Sequence, residues 1–140
     1  MSKVLQPAGW PRPKGYANGV AARGTMVFVA GQIGWTPEGN FESDTFADQA
    51  RQTFLNTKAV LDEAGAAPEH MVRQTWYITS KAEYLDQARE VGAAYREVFG
   101  RSFPAMAVVE VTALMEDRAK IEIETTAVVP DNGTSQEDTP

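Results

Sequence analysis

The chain has 140 residues, a formal net charge of −6 and no cysteine, which predicts a single domain with an ordinary hydrophobic core. The missing cysteines exclude a disulfide scaffold, a thiolate metal site and a cysteine nucleophile. The acidic balance argues against binding to nucleic-acid backbones, and no apolar run is long enough for a membrane span or a signal peptide. We therefore expect a cytoplasmic protein that binds neither nucleic acids nor membranes.

The two ends of the chain differ in composition from its middle. Residues 1–15 contain three prolines and two glycines, a composition that predicts an extended lead-in. Residues 131–140 are polar and acidic without an apolar anchor, which predicts a disordered tail. The single domain is therefore expected to span residues 1–130.

The first half of the chain predicts a hairpin followed by a helix. Strands are expected at Val20–Ala22 and Thr25–Ala30, joined by a tight turn. Residues 36–40 are expected to form a further turn. Good N-cap residues at 43–44 and a glycine at 65 bound the helix, whose predicted buried stripe is Phe46, Ala50, Phe54, Lys58 or Ala59, and Leu61.

The second half predicts a strand, a helix and two more strands. The strand is expected at Val72–Ile78, and the S-x-x-E motif at residues 80–83 predicts the capped start of one long helix. Gly100 is expected to end this helix, whose predicted buried stripe is Tyr84, Ala88, Val91, Tyr95 and Val98. The last strands are expected at Ala105–Thr112 and Lys120–Val129.

The resulting order, β-β-α-β-α-β-β, predicts an α+β fold with two helices on one face of a mixed sheet. The other face is then left without helices. Phe28 and Val108 are expected to contribute apolar side chains to this open face, which makes it a natural interface between copies of the chain.

Most signatures of catalytic and cofactor sites are missing from the sequence. His70 is the single histidine, so a transition-metal site is not expected. The segment Gly31–Gly34 lacks the spacing of a dinucleotide- or phosphate-binding loop, and there is no G-x-S-x-G motif. No cofactor is therefore expected.

Two features nevertheless carry possible chemistry. Glu122 and Glu124 alternate with isoleucines along the last strand. The pattern is typical of a strand with one solvated face, but it also permits one carboxylate to act as a general base in a subunit cleft. The second feature is a group of aromatic and amide side chains near the first hairpin, which fits either a turn beside the core or a small-molecule pocket: Tyr16, Asn18, Gln32 and Trp35.

Three segments together resemble the YjgF family, also called the Rid or L-PSP endoribonuclease family. They are Thr25–Ile33, Asn56–Gly65, and Phe103–Ala105 with the later motifs V-E-V and I-E-I-E. The resemblance covers roughly residues 15–129. It implies a chorismate-mutase-like α+β fold and a homotrimer with a barrel-like core and ligand clefts between subunits.

The resemblance also implies a reaction. Characterised members of the family hydrolyse enamines and imines to a 2-keto acid and ammonia. Carried over residue by residue, Glu122 matches the carboxylate that handles the attacking water, and Tyr16 matches the cleft tyrosine. Gly31 and Gln32 match the Gly-Gln turn.

One position departs from the family pattern. Where the family has an arginine after Phe/Lys-Pro-Ala that holds the substrate carboxylate, this chain has Met106. A carboxylate would lose its charged partner there, so the standard 2-imino-acid substrate is not expected. Trp35 stands in place of a smaller aliphatic residue and predicts a more apolar pocket, while Arg101 is either a substitute cation or an exposed loop charge.

Three functions therefore remain open, in this order. The first is hydrolytic deamination of an enamine or imine metabolite with an atypical substrate, for which the family reaction and the retained Glu122 and Tyr16 argue. The second is a non-catalytic trimeric module that binds a small molecule or acts as a chaperone, for which Met106 argues. The third is a ribonuclease, which the net charge of −6 disfavours.

Overall fold

The structure is a computed structural model that describes residues 2–131. Its strands are Ser2–Leu5 (β1), Gly19–Ala22 (β2), Thr25–Ile33 (β3), Met71–Ile78 (β4), Ala105–Glu110 (β5) and Ile121–Val129 (β6). Its helices are Phe46–Glu63 (α1), Lys81–Asp86 (α2) and Ala88–Phe99 (α3), with a 3-10 turn at Pro68–His70. Apart from Asp131, the predicted acidic tail lies outside the described residues. No helix within residues 2–131 has both the length and the apolarity needed to cross a bilayer.

Four of the strands form one mixed sheet in the order β3-β6-β4-β5. β6 is antiparallel to both of its neighbours, whereas β4 and β5 are parallel. The parallel pair requires a long crossover connection, which α2 and α3 provide. β6, the last of the strands within residues 2–131, therefore lies inside the sheet and not at its edge.

The core lies between this sheet and the helices. Phe54 of α1 is fully buried, and its ring lies 5.4 Å from that of Trp76 on β4 and 5.4 Å from that of Tyr95 on α3. Aromatic rings at such separations contribute more than their buried area alone. The predicted α+β class, with the helices on one face of a mixed sheet, is confirmed.

Capping residues mark both ends of helix α1. The hydroxyl of Thr45 caps its first turn by accepting a hydrogen bond from the Asp48 N–H, one residue beyond the predicted start. Gly65 has φ +67° and follows the C-terminus, as predicted. Lys58 and Ala59 do not belong to the buried stripe, because the buried face continues instead through Gln49, Thr53 and Thr57.

The second helical segment is two helices, not the one helix predicted. Ser80 caps α2 by accepting from the Glu83 N–H, as its sequence predicts, and Gly100 with φ +71° ends α3. The chain changes direction at Gln87, which is the C-cap of α2 and the N-cap of α3. Ala88 therefore lies exposed at the start of α3 and does not extend the buried stripe.

The predicted hairpin between the second and third strands is wrong. β2 pairs with β1, which lies in the predicted lead-in, and β3 pairs with β6. The sequence pattern missed β1 because every residue of Ser2–Leu5 is exposed, so no alternation of buried and exposed residues marks it as a strand. The strands β5 and β6 are also slightly shorter than predicted, since they end at Glu110 and begin at Ile121.

The sheet face opposite the helices carries exposed apolar side chains. Phe28 is 71% exposed and Met26 is 57% exposed. Val108, however, pairs in register with the buried Trp76 and therefore belongs to the helix side, whereas Val109 pairs with Tyr77 on the open face. The prediction for Phe28 is confirmed, and that for Val108 is wrong by one residue.

Candidate active site

A cavity of about 470 Å³ opens on the uncovered face of the sheet, beside the loop that connects β5 to β6. We call it the acidic pocket. It is lined by two carboxylates on β6, a tyrosine on β4, a glycine on β3 and loop residues: Glu122, Glu124, Tyr77, Gly31, Val111, Ala113, Leu114 and Met115. Its polar groups all lie on sheet strands, which hold side chains more firmly than loops do.

Gly31 and Glu122 are in direct contact across strands β3 and β6. β3 carries one more residue than β6 between the pairs Val29–Thr125 and Gln32–Ile123, so the strand bulges at this point. A Cβ built on Gly31 would lie 2.8 Å from Cδ of Glu122. Only a residue without a side chain therefore leaves the carboxylate of Glu122 in its position.

Glu124 has a hydrogen-bond donor within the same face. The hydroxyl of Tyr77 donates to the Oε1 atom of Glu124. This hydrogen bond is the main cause of a raised pKa of Tyr77, whose phenol consequently stays protonated. Sequence analysis did not identify Tyr77, although its position beside the buried Trp76 places it on the open side of β4.

Glu122 differs from Glu124 in having no donor. Among the described residues, no side-chain or backbone group donates a hydrogen bond to its carboxylate, and it takes part in no salt bridge. It is half-buried and lies in register with Tyr77. Its oxygens are therefore available to accept a proton or a hydrogen bond from a bound molecule.

Tyr16 lies in a second cavity, at the other end of β4. This cavity of about 500 Å³, the arginine groove, lies between the N-terminal segment and the loop before β5. Its lining includes two arginines, one acid and an apolar wall: Arg12, Arg101, Glu69, Tyr16, Phe103 and Met71. The N–H of Ala17 donates to the Pro104 carbonyl at 2.9 Å, and this bond holds the segment against the start of β5.

Met106 lies on the opposite face of the sheet from Glu122. It pairs in register with Gln74, which is 1% exposed, and it packs against the hydrophobic core. Glu122 pairs with Tyr77 on the open face. Side chains on opposite faces of one sheet do not meet, so a single chain does not bring Met106 and Glu122 together.

The other three predicted pocket residues have local partners. Asn18 donates to Oε1 of Gln6 at 3.0 Å, and Gln32 donates to the carbonyl of Ala30 at 3.1 Å. The ring of Trp35 lies 5.9 Å from that of Phe41. None of the three contributes to the lining of the arginine groove that contains Tyr16. The single pocket expected around the first strands is therefore divided in this chain.

The structure also identifies what His70 does. Its Nδ1 atom accepts a hydrogen bond from the Ala67 N–H at 2.9 Å, within the 3-10 turn that precedes β4. Within residues 2–131, no three acidic or histidine side chains converge as metal ligands. His70 therefore has a structural partner in its own turn.

The sequence and the fold of this chain are similar to those of a group of known proteins. The sequence model of the family described as endoribonuclease L-PSP matches residues 11–129. A RutC family protein of Pyrococcus horikoshii is 33% identical over 128 residues, which cover 91% of this chain and 98% of the relative.

Two further relatives are informative about activity and fold. A 2-iminobutanoate/2-iminopropanoate deaminase of Salmonella typhimurium is 35% identical over 132 residues, covering 91% of this chain and 98% of the enzyme. A conserved Rid family protein of Yersinia pestis has a solved structure that superposes with a TM-score of 0.78 at 29% identity. That match covers 91% of this chain and 98% of the Yersinia chain.

Proposed function

The chain belongs to the YjgF/Rid family of endoribonuclease L-PSP-like proteins, and from this premise we propose that it hydrolyses a reactive enamine or imine. The products are a carbonyl compound and ammonia. A relative named as a 2-iminobutanoate/2-iminopropanoate deaminase, aligned over 91% of the chain, supports this reaction class.

The observation that carries the proposal is the carboxylate of Glu122, which has no hydrogen-bond or salt-bridge partner within residues 2–131. It lies against the bare backbone of Gly31 in a pocket of about 470 Å³ that is open to solvent. Glu124, the alternative base, already accepts the hydroxyl proton of Tyr77 in a hydrogen bond. A base must have a free acceptor within reach of the attacking water, and Glu122 fulfils this requirement.

The reaction needs one group that moves protons. Glu122 accepts a proton from water as the water oxygen bonds to the imine carbon, and it passes this proton to the nitrogen, which receives the electrons of the C=N double bond. In the resulting carbinolamine, Glu122 takes the hydroxyl proton as the C=O bond forms and gives it to the nitrogen as the C–N bond breaks and ammonia leaves. The carboxylate is regenerated, and no cofactor takes part.

A second copy of the chain completes the site in this proposal. Glu122 and Gly31 come from one copy, and Tyr16 and Met106 come from a neighbouring copy. Two copies are needed because, within one chain, the first pair of residues lies far from the second pair. The exposed apolar side chains of the open face support a homotrimer packed through that face: Phe28 is 71% exposed and Met26 is 57% exposed. Light scattering should give three times 15.3 kDa, and a monomeric mass would contradict this assembly.

Met106 favours an atypical substrate. A thioether cannot pair with a carboxylate as an arginine does, so a simple 2-imino acid gains less from this position. The same observation favours the second candidate function, a non-catalytic trimer that binds a small metabolite or acts as a chaperone. The net charge of −6 favours a small molecule over RNA in either case.

An ammonia-release assay on imines generated in situ from several amino acids tests the proposal. Glu122→Gln keeps the shape of the side chain but accepts no proton, so hydrolysis should fall by at least about a hundredfold. Glu124→Gln is the matched control and should retain most of the activity. If both variants hydrolyse imines as the wild type does, neither carboxylate is the base. If the wild type itself releases no ammonia above the uncatalysed background, the protein is better described as a binding module.

A further inference from the structure

We infer that Arg12 and Arg101 hold the carboxylate of the substrate in the arginine groove, replacing the cation that is missing at Met106. Both arginines line one cavity of about 500 Å³ together with Tyr16. This inference rests on the proposed function, because it concerns the same substrate, but it assigns a residue pair to which the family pattern gives no role.

Arg12 and Arg101 are unpaired, like several other arginines of the described residues, but these two line one cavity together. Arg51 and Arg118 are paired with Glu97 and Asp44 at 2.7 and 3.0 Å. Among the described residues, Arg12 and Arg101 form no salt bridge and donate no side-chain hydrogen bond. Their donors are therefore free, and guanidinium groups pair with carboxylates in two-point contacts.

The groove also offers a surface for the carbon skeleton of a small acid. Tyr16 and Phe103 supply aromatic rings, and the buried Met71 lies at the base of β4. Cavities that bind small molecules combine such an apolar wall with a few polar groups. The stacked rings of Phe103 and Tyr95, 5.2 Å apart, hold this wall against the core.

Tyr16 links the groove to the proposed reaction. The family resemblance assigns Tyr16 to the cleft, and Arg101 is a candidate cation in the same sequence pattern. The segment that carries Tyr16 is hydrogen-bonded to the residue before Ala105. Met106 follows directly on β5. A carboxylate bound at the arginines would therefore lie beside the segment at which the family pattern expects a cation.

Glu69 provides a test of the electrostatic part of the inference. Its carboxylate lines the same groove as the two arginines, so it opposes the binding of any anion there. Removing its charge should strengthen binding, whereas removing either arginine should weaken it. If the groove had a purely apolar or structural role, the Glu69 variant and the arginine variants would not change the affinity for an anion in opposite directions.

The experiment is an NMR titration with 2-oxobutanoate, a small 2-keto acid that carries the carboxylate which this inference assigns to the groove. Arg12→Gln and Arg101→Gln should each raise Kd by about tenfold, the loss expected for a charge-assisted hydrogen bond. Arg89→Gln, an exposed arginine on α3, is the matched control and should leave Kd unchanged. Glu69→Gln should lower the Kd of 2-oxobutanoate. Butan-2-one, which lacks the carboxylate, should have the same Kd for the wild type and the two arginine variants.

Three results would overturn the inference. They are absence of 2-oxobutanoate binding to the wild type, equal Kd values for the arginine variants and the Arg89→Gln control, and inorganic phosphate binding as tightly as 2-oxobutanoate. Thermal melts of each variant separate loss of binding from loss of folding. Imine hydrolysis by the arginine variants should show a raised KM with kcat retained, because the arginines bind the carboxylate equally well in the ground state and in the transition state.

Glu122→Gln distinguishes failure of this inference from failure of the proposed function. Arginine-dependent binding together with undiminished hydrolysis in Glu122→Gln would refute only the catalytic role of Glu122. Loss of hydrolysis in Glu122→Gln together with arginine-independent binding would refute only the groove.

Discussion

The carboxylate of Glu122 lies on the backbone of Gly31, and a single added carbon at residue 31 would come within 2.8 Å of Glu122 Cδ. The contact exists because β3 bulges between Val29 and Gln32, which brings its backbone towards β6. The carboxylate of Glu122 therefore occupies the space that a side chain at residue 31 would fill.

Gly31→Ala is expected to impair catalysis more than folding. The new methyl group collides with the end of a flexible side chain, so Glu122 can rotate away at little cost. We expect the unfolding free energy to change by less than about 1 kcal/mol while imine hydrolysis falls by at least about tenfold. Chemical denaturation and ammonia release measure the two effects on one sample.

Gly34→Ala, three residues later, is the matched control. Its Cβ would lie 2.6 Å from the main-chain oxygen of Gln49 in α1, and a helix backbone cannot move aside as a side chain can. We expect a destabilisation of about 1–3 kcal/mol. Equal losses of stability in both glycine variants would contradict the role assigned to Gly31.

Gln49 is expected to be among the most sensitive polar positions for stability. It is 1% exposed, its amide donates to the carbonyls of Ser43 and Arg118, and its oxygen accepts from the Lys120 N–H at 2.8 Å. Gln49→Leu leaves these three main-chain groups unpaired and should cost about 2–4 kcal/mol. Gln52→Leu, which loses only a bond to Asn56, should change stability by less than about 0.5 kcal/mol.

Tyr95 should make stability depend on alkaline pH. Burial raises the pKa of its phenol, so the folded chain keeps this proton at pH values where the unfolded chain loses it. The contribution is complete below the ordinary tyrosine pKa of about 10 and is lost as the pH rises beyond it, at roughly 1.4 kcal/mol per pH unit.

Tyr95→Phe isolates this effect. At pH 8 the variant should be less stable by about 1 kcal/mol, because the hydrogen bond to the Ser102 carbonyl at 2.5 Å is lost. Between pH 10 and 11, about the range of tyrosine ionisation, its stability should fall less steeply than that of the wild type. Parallel pH curves from urea denaturation would count against the raised pKa.

Met106→Arg should improve the handling of 2-imino acids if the cleft is assembled from two copies. A guanidinium at this position supplies the two-point carboxylate contact, and kcat/KM should rise by about tenfold. Met106→Lys, which offers a point charge, should give a smaller gain. Both variants place a charge against the core and should lose about 1–3 kcal/mol of stability. If neither variant, once shown to be folded, raises kcat/KM for 2-imino acids, Met106 is not a cleft residue.

Local sequence signals predicted both helical segments and most of the strands, but not the break at Gln87 that divides the second segment into two helices. The glycines at 65 and 100 and the capping serine at 80 act within one turn of the chain, so their effects can be read from neighbouring residues. The pairing of β2 could not be predicted in this way. Its partner β1 is exposed throughout, and the strand that follows β2 pairs across the whole chain with β6.

The sequence proposed candidate site residues, but it did not indicate how they are arranged. The motif carrying Glu122 could be recognised, yet the choice between Glu122 and Glu124 depends on the hydroxyl of Tyr77, which lies on another strand. Met106 and Glu122 were expected in one cleft, and only the register of β4 with its two neighbours reveals that they occupy opposite faces.

The position of β6 has a consequence for the order in which the molecule is made. β6 is the last of the described strands in chain order, but it lies between β3 and β4 and pairs Thr25 with Val129. Until it emerges from the ribosome, β3 has no neighbour in the four-stranded sheet and β4 can pair only with β5. The nascent chain therefore exposes unpaired strand edges until β6 is available, and closing the sheet then requires contacts between distant residues, which makes this step slow.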